Sequence, residues 1–525
     1  MGLANLSWGL LAIAGSAVAA EFQPIIAKGS KFFYQNGTQF YIKGIAYQQE
    51  FSPGASTTAS GNFIDSGADE LACKRDGPIL KEAGASTLRF YGSDPAANHD
   101  ACMRVFRDLG LYVIIDIGVP GKSINRDDPH WDIDLYEHFT AVIDTMSQYD
   151  NVIGFIAGNE VSNSKNNTEA SAYVKAAIRD MRAYIKNNKK ITRQLFVGVA
   201  ANHDPDILEP LVQYFACDDG TDFFGINVYS WCGKSSIRQS GYDQLSKLFE
   251  NYTVPVMFAE YGCNTVGGGA NRFFHETTAL YSEDMTRVFS GGFVYMYHQE
   301  ANDYGLVEVS NGKATKLKAF YALKKKLNEA KPKTMEISDY TPGGKANECP
   351  ELADNWRANK RLPRTPDKSL CYCAFDTRGC VGNSDISAKR TSDIFGYICG
   401  ESPEICASID GNATTGRYGI FSMCSAREKL AVVVDGHYNK QKKAKDACNF
   451  GGSVHIQSAK SERSCTAALA KASSDADKKG ATAMDTDDSF AVHGAPVAHV
   501  LAIGDFSIGL YMLVALCVGA GMVAL

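Results

Sequence analysis

The 525-residue chain has no excess of basic charge. Its 53 Lys and Arg stand against 59 Asp and Glu, a formal net charge of −6, which offers no field for nucleic acid. No Gly-x-Gly-x-x-Gly follows the first apolar run, so the main support for a dinucleotide fold is missing. Gly267-Gly268-Gly269 lacks the Lys and Ser/Thr of a phosphate loop and is read instead as a mobile loop over a cleft. There is no Gly-x-Ser-x-Gly elbow for a serine hydrolase. The 10 His are scattered and no Cys-x-x-Cys pair accompanies ligand His, so no metal and no cofactor is expected. Basic residues are also missing at both ends: none precedes the apolar stretch after Met1, and none follows the apolar run Phe506–Leu525.

What is present points to the secretory pathway. Residues 1–20 are apolar and small and end in Ala17-Val18-Ala19-Ala20, as expected of a signal peptide. The polar, small-residue stretch 471–495 reads as a disordered stalk with an anchor-attachment region, and 496–525 as the removed tail of a GPI signal. Of 15 Cys, Cys517 falls in that tail, which leaves an even number for disulfides. Sequons at Asn36, Asn166, Asn251 and Asn412 fit the same compartment.

Between the termini, eight apolar runs recur with room for helices between them: Phe40–Tyr47, Ser86–Gly92, Tyr112–Gly118, Val152–Glu160, Gln194–Ala200, Phe223–Ser230, Val254–Gly262 and Gly291–Gln299. Helical patterns are clearest at Ala97–Gly110, Ile133–Tyr149, Glu169–Asn188 and Leu317–Ala330. Strands alternating with helices argue for an α/β parallel sheet, and eight such units favour a closed (β/α)8 TIM barrel over 21–330. A linker is expected over 331–348. The dense cysteines from residue 349 to 470 then predict a second small disulfide-rich domain, stapled rather than core-driven.

In a barrel the C-terminal strand ends carry the chemistry. Glu160 closes the fourth run and Glu260 the seventh. Two carboxylates so placed suit glycosidic bond cleavage, one as proton donor and one as nucleophile. Asn159 stands where an amide could bond the sugar 2-hydroxyl. Tyr91, Asp116, Tyr229 and Tyr295, also at strand ends, offer aromatic faces and polar tips to sugar rings.

Taken in order, Gly44-Ile45-Ala46-Tyr47-Gln48, Tyr91 with Asp94-Pro95 and Asn98-His99-Asp100, Ser123-Ile124-Asn125-Arg126-Asp127, Gly158-Asn159-Glu160, Glu260-Tyr261-Gly262-Cys263-Asn264 and Gly291-Gly292-Phe293-Val294-Tyr295-Met296-Tyr297 resemble the fungal β-1,3-glucanosyltransferases, glycoside hydrolase family 72. The cysteine-rich region resembles the carbohydrate-binding module appended to one branch of that family. The resemblance implies a retaining transglycosylase on the outer face of the plasma membrane and in the cell wall. It would be a monomer held by a GPI anchor, with β-1,3-glucan chains as donor and acceptor. It implies Glu260 as nucleophile and Glu160 as acid/base, with Gln48, Tyr91, Asp116, Ser123, Asn125, Arg126, Asn159, Asp204, Tyr229 and Tyr295 against sugar. It pairs Cys73 with Cys102, Cys217 with Cys349 and Cys232 with Cys263. In the module, Cys371, Cys424, Cys373, Cys465, Cys380, Cys448, Cys399 and Cys406 are expected in disulfides. The chain departs from the family pattern at His203, Leu208, Ala259 and Gly121-Lys122, none of which removes a catalytic group.

Overall fold

A computed structural model describes residues 22–49, 63–218, 220–345, 347–460 and 464–472. The expected signal peptide, the stalk beyond residue 472 and the expected anchor tail lie outside the described residues.

Eight parallel strands close into a barrel in sequence order. They are β1 (Ile42–Ala46), β2 (Thr87–Phe90), β3 (Tyr112–Asp116), β4 (Val152–Asn159), β5 (Phe196–Ala201), β6 (Phe224–Val228), β7 (Val256–Tyr261) and β8 (Phe289–Val294). The barrel is the one the eight apolar runs predict. The strands are buried on both faces, so their sequences are almost continuously apolar. Alternation decides which layer each side chain joins: Tyr112 and Ile114 fall in the inner cluster, Val113 and Ile115 in the layer under the helices. An N-terminal three-stranded antiparallel sheet, Ile25–Lys28, Lys31–Tyr34 and Gln39–Phe40, packs on the inner cluster, with Phe40 5.3 Å from the Tyr112 ring and Phe32 5.3 Å from that of Phe196.

Helices fill every crossover, including Glu70–Glu82, Leu208–Ala216 and Tyr242–Leu248, which the sequence pattern shows less clearly than Ile133–Met146 or Ala170–Asn187. The eighth strand departs from expectation. It spans Phe289–Val294 rather than running to Gln299, because Tyr295 N still bonds Tyr261 O while Met296 N turns to Tyr304 O. The chain leaves the barrel there to build the wall of the cleft.

The expected linker over 331–348 is fastened to the N-terminal sheet. Gln39 N donates to Met335 O at 3.0 Å, Ile337 N to Gly37 O at 2.8 Å, and Tyr340 meets Ser30 at 2.9 Å. Trp356 is buried 5.1 Å from the Tyr214 ring, and Tyr214 donates its hydroxyl to Asn359 O at 2.7 Å. The module beyond has helices Lys368–Asp376, Ala388–Glu401 and Ala426–Lys440 and a short antiparallel pair, Cys380–Gly382 with Val454–Ile456. Its core is small, and disulfides 371–424, 373–465, 380–448 and 399–406 staple it. Met423 O accepts from Ile133 N at 2.9 Å, joining the module to the helix that follows β3. The remaining disulfides are 73–102, 217–349 and 232–263.

Candidate active site

Both strands that lead to a glutamate are irregular just before it. The pairing of β4 with β5 shifts register between Ile156 and Asn159, and that of β7 with β6 between Phe258 and Glu260. Bulges of this kind re-aim side chains at barrel rims. Glu160 is the first residue past β4 rather than its last. It has φ +49, a left-handed backbone that a side chain with Cβ adopts at a cost. Two bonds hold it there: Glu160 N donates to Ala200 O at 2.8 Å, and Arg126 Nη2 donates to Glu160 O at 2.7 Å.

Arg89, fully buried in the middle of β2, organises the floor of the site. Its Nε and Nη2 donate to the two Asp116 oxygens at 3.0 and 2.8 Å. Its Nη1 donates to Ala259 O at 3.0 Å and to Glu260 Oε1 at 3.3 Å, and its Nη2 also to Asn159 Oδ1 at 3.0 Å. Burial works against the charge of this guanidinium, yet Asp116, Tyr91 and Glu260 hold its pKa above the ordinary value. Burial likewise pushes the Asp116 carboxyl up against the pull of Arg89.

Glu260 is 8 % exposed. Tyr91 donates its hydroxyl to Oε1 at 2.7 Å and Tyr229 to Oε2 at 2.8 Å. Burial, with the Glu160 charge adding to it, pushes the Glu260 carboxyl up to about 7; Arg89 and the two tyrosine hydroxyls oppose that shift. Asn227 Nδ2 donates to Glu160 Oε1 at 2.8 Å and to Asn159 Oδ1 at 3.2 Å. The two glutamates are thus linked through Asn227, Asn159 and Arg89. Four aromatic rings stand together beside Glu260: Tyr295 lies 6.2 Å from Tyr91, 6.4 Å from Tyr229 and 5.3 Å from Tyr304.

Other expected site residues occupy the rim. Gln48 spans Tyr91 N (3.3 Å) and Ile64 O (2.8 Å). Ser123 and Asn125 are exposed on the loop after β3, where Asn125 Oδ1 caps its own turn by accepting from Asp127 N at 2.9 Å. Asp204 Oδ1 accepts from Asp206 N at 2.9 Å in the loop after β5. Each Asp116 oxygen accepts one hydrogen bond from Arg89, and the residue is 6 % exposed at the floor of the site.

The glycine-rich stretch read as a mobile loop is pinned. Gly269 N donates to Asp303 Oδ2 at 2.7 Å, and a Cβ on Gly269 would lie 2.4 Å from Asp303 O. The disulfide 232–263 ties this loop to the one after β6. Arg89, Asn227 and Tyr304 escaped sequence reading. The first two did leave a signal, since a cation and an amide inside apolar strands are too costly to bury without a partner. Among the described residues the one cluster with metal-ligand spacing is Cys217, Asp218 and Cys349, whose two sulfurs are joined in a disulfide. No helix among those residues is long and apolar enough to cross a membrane.

Comparison with known proteins agrees with this geometry. Residues 14–331 match the family described as glucanosyltransferase, glycoside hydrolase family 72, and residues 378–455 match the X8 domain. The chain is 42% identical over 549 residues, 100% of both chains, to a 1,3-beta-glucanosyltransferase of Arthroderma benhamiae. It is 41% identical over 440 residues to the 1,3-beta-glucanosyltransferase GAS2 of Saccharomyces cerevisiae, covering 81% of this chain and 78% of that one. The solved structure of Saccharomyces cerevisiae Gas2p in complex with laminaripentaose superposes with a TM-score of 0.77 at 40% identity, over 83% of this chain and 98% of that one. The structure of the same protein with laminaritriose and laminaritetraose gives 0.76 at 40% identity, over 83% and 97%.

Proposed function

Because the chain belongs to the glucanosyltransferase family, glycoside hydrolase family 72, we propose that it cuts a β-1,3-glucan chain and rejoins the new reducing end to the non-reducing end of a second chain. Glu260 attacks the anomeric carbon. As that carbon–oxygen bond breaks, Glu160 gives its proton to the departing oxygen, leaving a glucanyl ester on Glu260. The 3-hydroxyl of the acceptor then attacks the same carbon, Glu160 takes the hydroxyl proton, and the Glu260 carboxylate departs. Two inversions give net retention.

The observation that carries this reading is the linked pair: Glu160 to Asn227, Asn159, Arg89 and Glu260 in one hydrogen-bonded chain. Arg89 and the hydroxyls of Tyr91 and Tyr229 favour the anionic nucleophile in a buried site. The Tyr91, Tyr229, Tyr295 and Tyr304 rings offer faces to pyranose carbons, so an acceptor sugar gains contacts that water does not. Gln48, Ser123, Asn125 and Asp204 extend the cleft along the glucan.

Incubating purified enzyme with a reduced laminari-oligosaccharide tests it. Products longer than the substrate are expected; shorter products alone would make the protein an endo-β-1,3-glucanase. Unchanged glucan processing by Glu260→Gln would overturn Glu260 as the nucleophile, and no products at all from wild type would leave a non-catalytic glucan-binding wall protein. The chain acts as a monomer, held at the outer face of the plasma membrane and in the wall by a GPI anchor. Support for the anchor is the apolar run Phe506–Leu525 behind a small, polar stretch. Release from membranes by a phosphatidylinositol-specific phospholipase tests the anchor, and sedimentation tests the monomer.

A further inference from the structure

Arg89 can only donate hydrogen bonds. Its Nη2 lies 3.0 Å from Asn159, so the oxygen of the Asn159 amide must face it. That same oxygen lies 3.2 Å from the Asn227 amide, which must therefore present its nitrogen. The second hydrogen of Asn227 Nδ2 then falls on Glu160 Oε1 at 2.8 Å. Turning the Asn227 amide over would set its oxygen against the Asn159 oxygen. Polarity is thus dictated residue by residue, outward from a cation.

Asn227 Oδ1 is buried and has no hydrogen-bond partner among the described residues, and the whole residue is 3 % exposed. A buried amide oxygen left unpaired is costly, and such orphans in native structures call for an explanation. An apolar residue at this position of β6 would avoid the cost, as Ile226 and Val228 do on either side. The unpaired oxygen is the consequence of committing the nitrogen to two acceptors.

We propose that Asn227 is a positioning residue that decides which oxygen of Glu160 carries the catalytic proton. A proton on Oε1 would confront the Asn227 N–H, donor against donor, so the acid form holds its proton on Oε2. In the first step that Oε2 proton goes to the departing glucan oxygen. In the second, Oε2 takes the proton of the acceptor hydroxyl, and Oε1 keeps its bond to Asn227 throughout. The backbone of Glu160 is fixed independently by Arg126 and by Ala200 O, so Asn227 governs the carboxyl rather than the loop. Charged groups near this carboxyl are Glu260, Arg89 by way of Asn159, and Arg126. This inference rests on the reading of Glu160 as acid/base.

The test compares Asn227→Ala and Asn227→Asp with wild type on two donors: a laminari-oligosaccharide, whose leaving sugar needs a proton, and a laminari-oligosaccharyl fluoride, whose leaving group does not. Both variants should lose about tenfold to a thousandfold in kcat on the oligosaccharide and far less in the fluoride-release step. Equal losses on both donors would overturn the proposal, since a merely structural role for Asn227 would slow both alike. If the Asp variant does not fold, the Ala variant carries the same comparison, and Asn227→Ser stands behind it. Glu160→Ala separates the two failures: if it keeps full activity on the oligosaccharide, the acid/base reading itself fails; if it is inactive while the Asn227 variants behave as wild type, only the role of Asn227 fails.

Discussion

Arg89 and Asp116 form a two-bond ion pair, 3.0 and 2.8 Å, with Arg89 wholly buried and Asp116 6 % exposed. A carboxylate beside a glucan cleft can be taken for a sugar contact. Here it supplies the counter-charge that lets a guanidinium sit beneath Glu260. Removing it would strand a buried cation, so Asp116→Ala should lower unfolding free energy by roughly 3–5 kcal/mol in urea titration. Ser123→Ala, on the exposed rim, should leave the unfolding midpoint unchanged.

Glu260 gives a pH signature. Its pKa rises from 4.5 to about 7 on folding, so the folded chain binds this proton more tightly than the unfolded one. Its contribution to stability is fully present below the unfolded value and is lost as pH rises through about 7. Glu260→Gln escapes that loss. Calorimetry should give the variant a higher Tm than wild type near pH 8, worth on the order of 2 kcal/mol, and a nearly equal Tm near pH 4.

Tyr229→Phe removes one of the two hydroxyls bonded to Glu260. With that opposition to the burial shift gone, the Glu260 pKa should climb further. The acid limb of kcat/KM should move up by about one unit. An acid limb that stays in place would show that Tyr229 contributes only its ring.

Arg126 is expected against sugar, and in the structure its Nη2 donates to the carbonyl of Glu160 at 2.7 Å. If holding the left-handed Glu160 is its main task, Arg126→Ala should reduce kcat by roughly tenfold to a hundredfold, with KM little changed. A KM increase at constant kcat would return it to the substrate side.

Asp303→Ala should release the glycine-rich loop, since Asp303 Oδ2 accepts from Gly269 N at 2.7 Å. Protease nicking near residues 266–270 should then appear in the variant and not in wild type.

Eight apolar runs with helix-length gaps were enough for the closed barrel, because strands buried on both faces leave no polar alternation to misread. Both glutamates were legible for a related reason: a carboxylate ending such a run lies at the rim. The less visible parts are those whose meaning depends on partners far away in sequence. Arg89 in Thr87-Leu88-Arg89-Phe90 looks like a fault in a strand until Asp116, Asn159 and Glu260 surround it. The bond of Gly269 to Asp303, more than thirty residues on, and the 232–263 disulfide beside Gly267–Gly269 are likewise invisible in the local sequence. The segment 331–348 looks like a linker because its composition is polar, but its backbone bonds to Gln39 and Gly37 are invisible to composition.

By itself, then, the sequence determined the barrel, the cysteine-rich second unit and the two carboxylates, all of which follow from local periodicity and spacing. Tertiary structure alone decided the state of those carboxylates. Burial raises Glu260, Arg89 and two hydroxyls oppose it, and a chain of amides fixed in polarity by Arg89 sets the orientation of Glu160. Each of these depends on distances of about 3 Å between residues many tens apart, which only the closing of the barrel brings about.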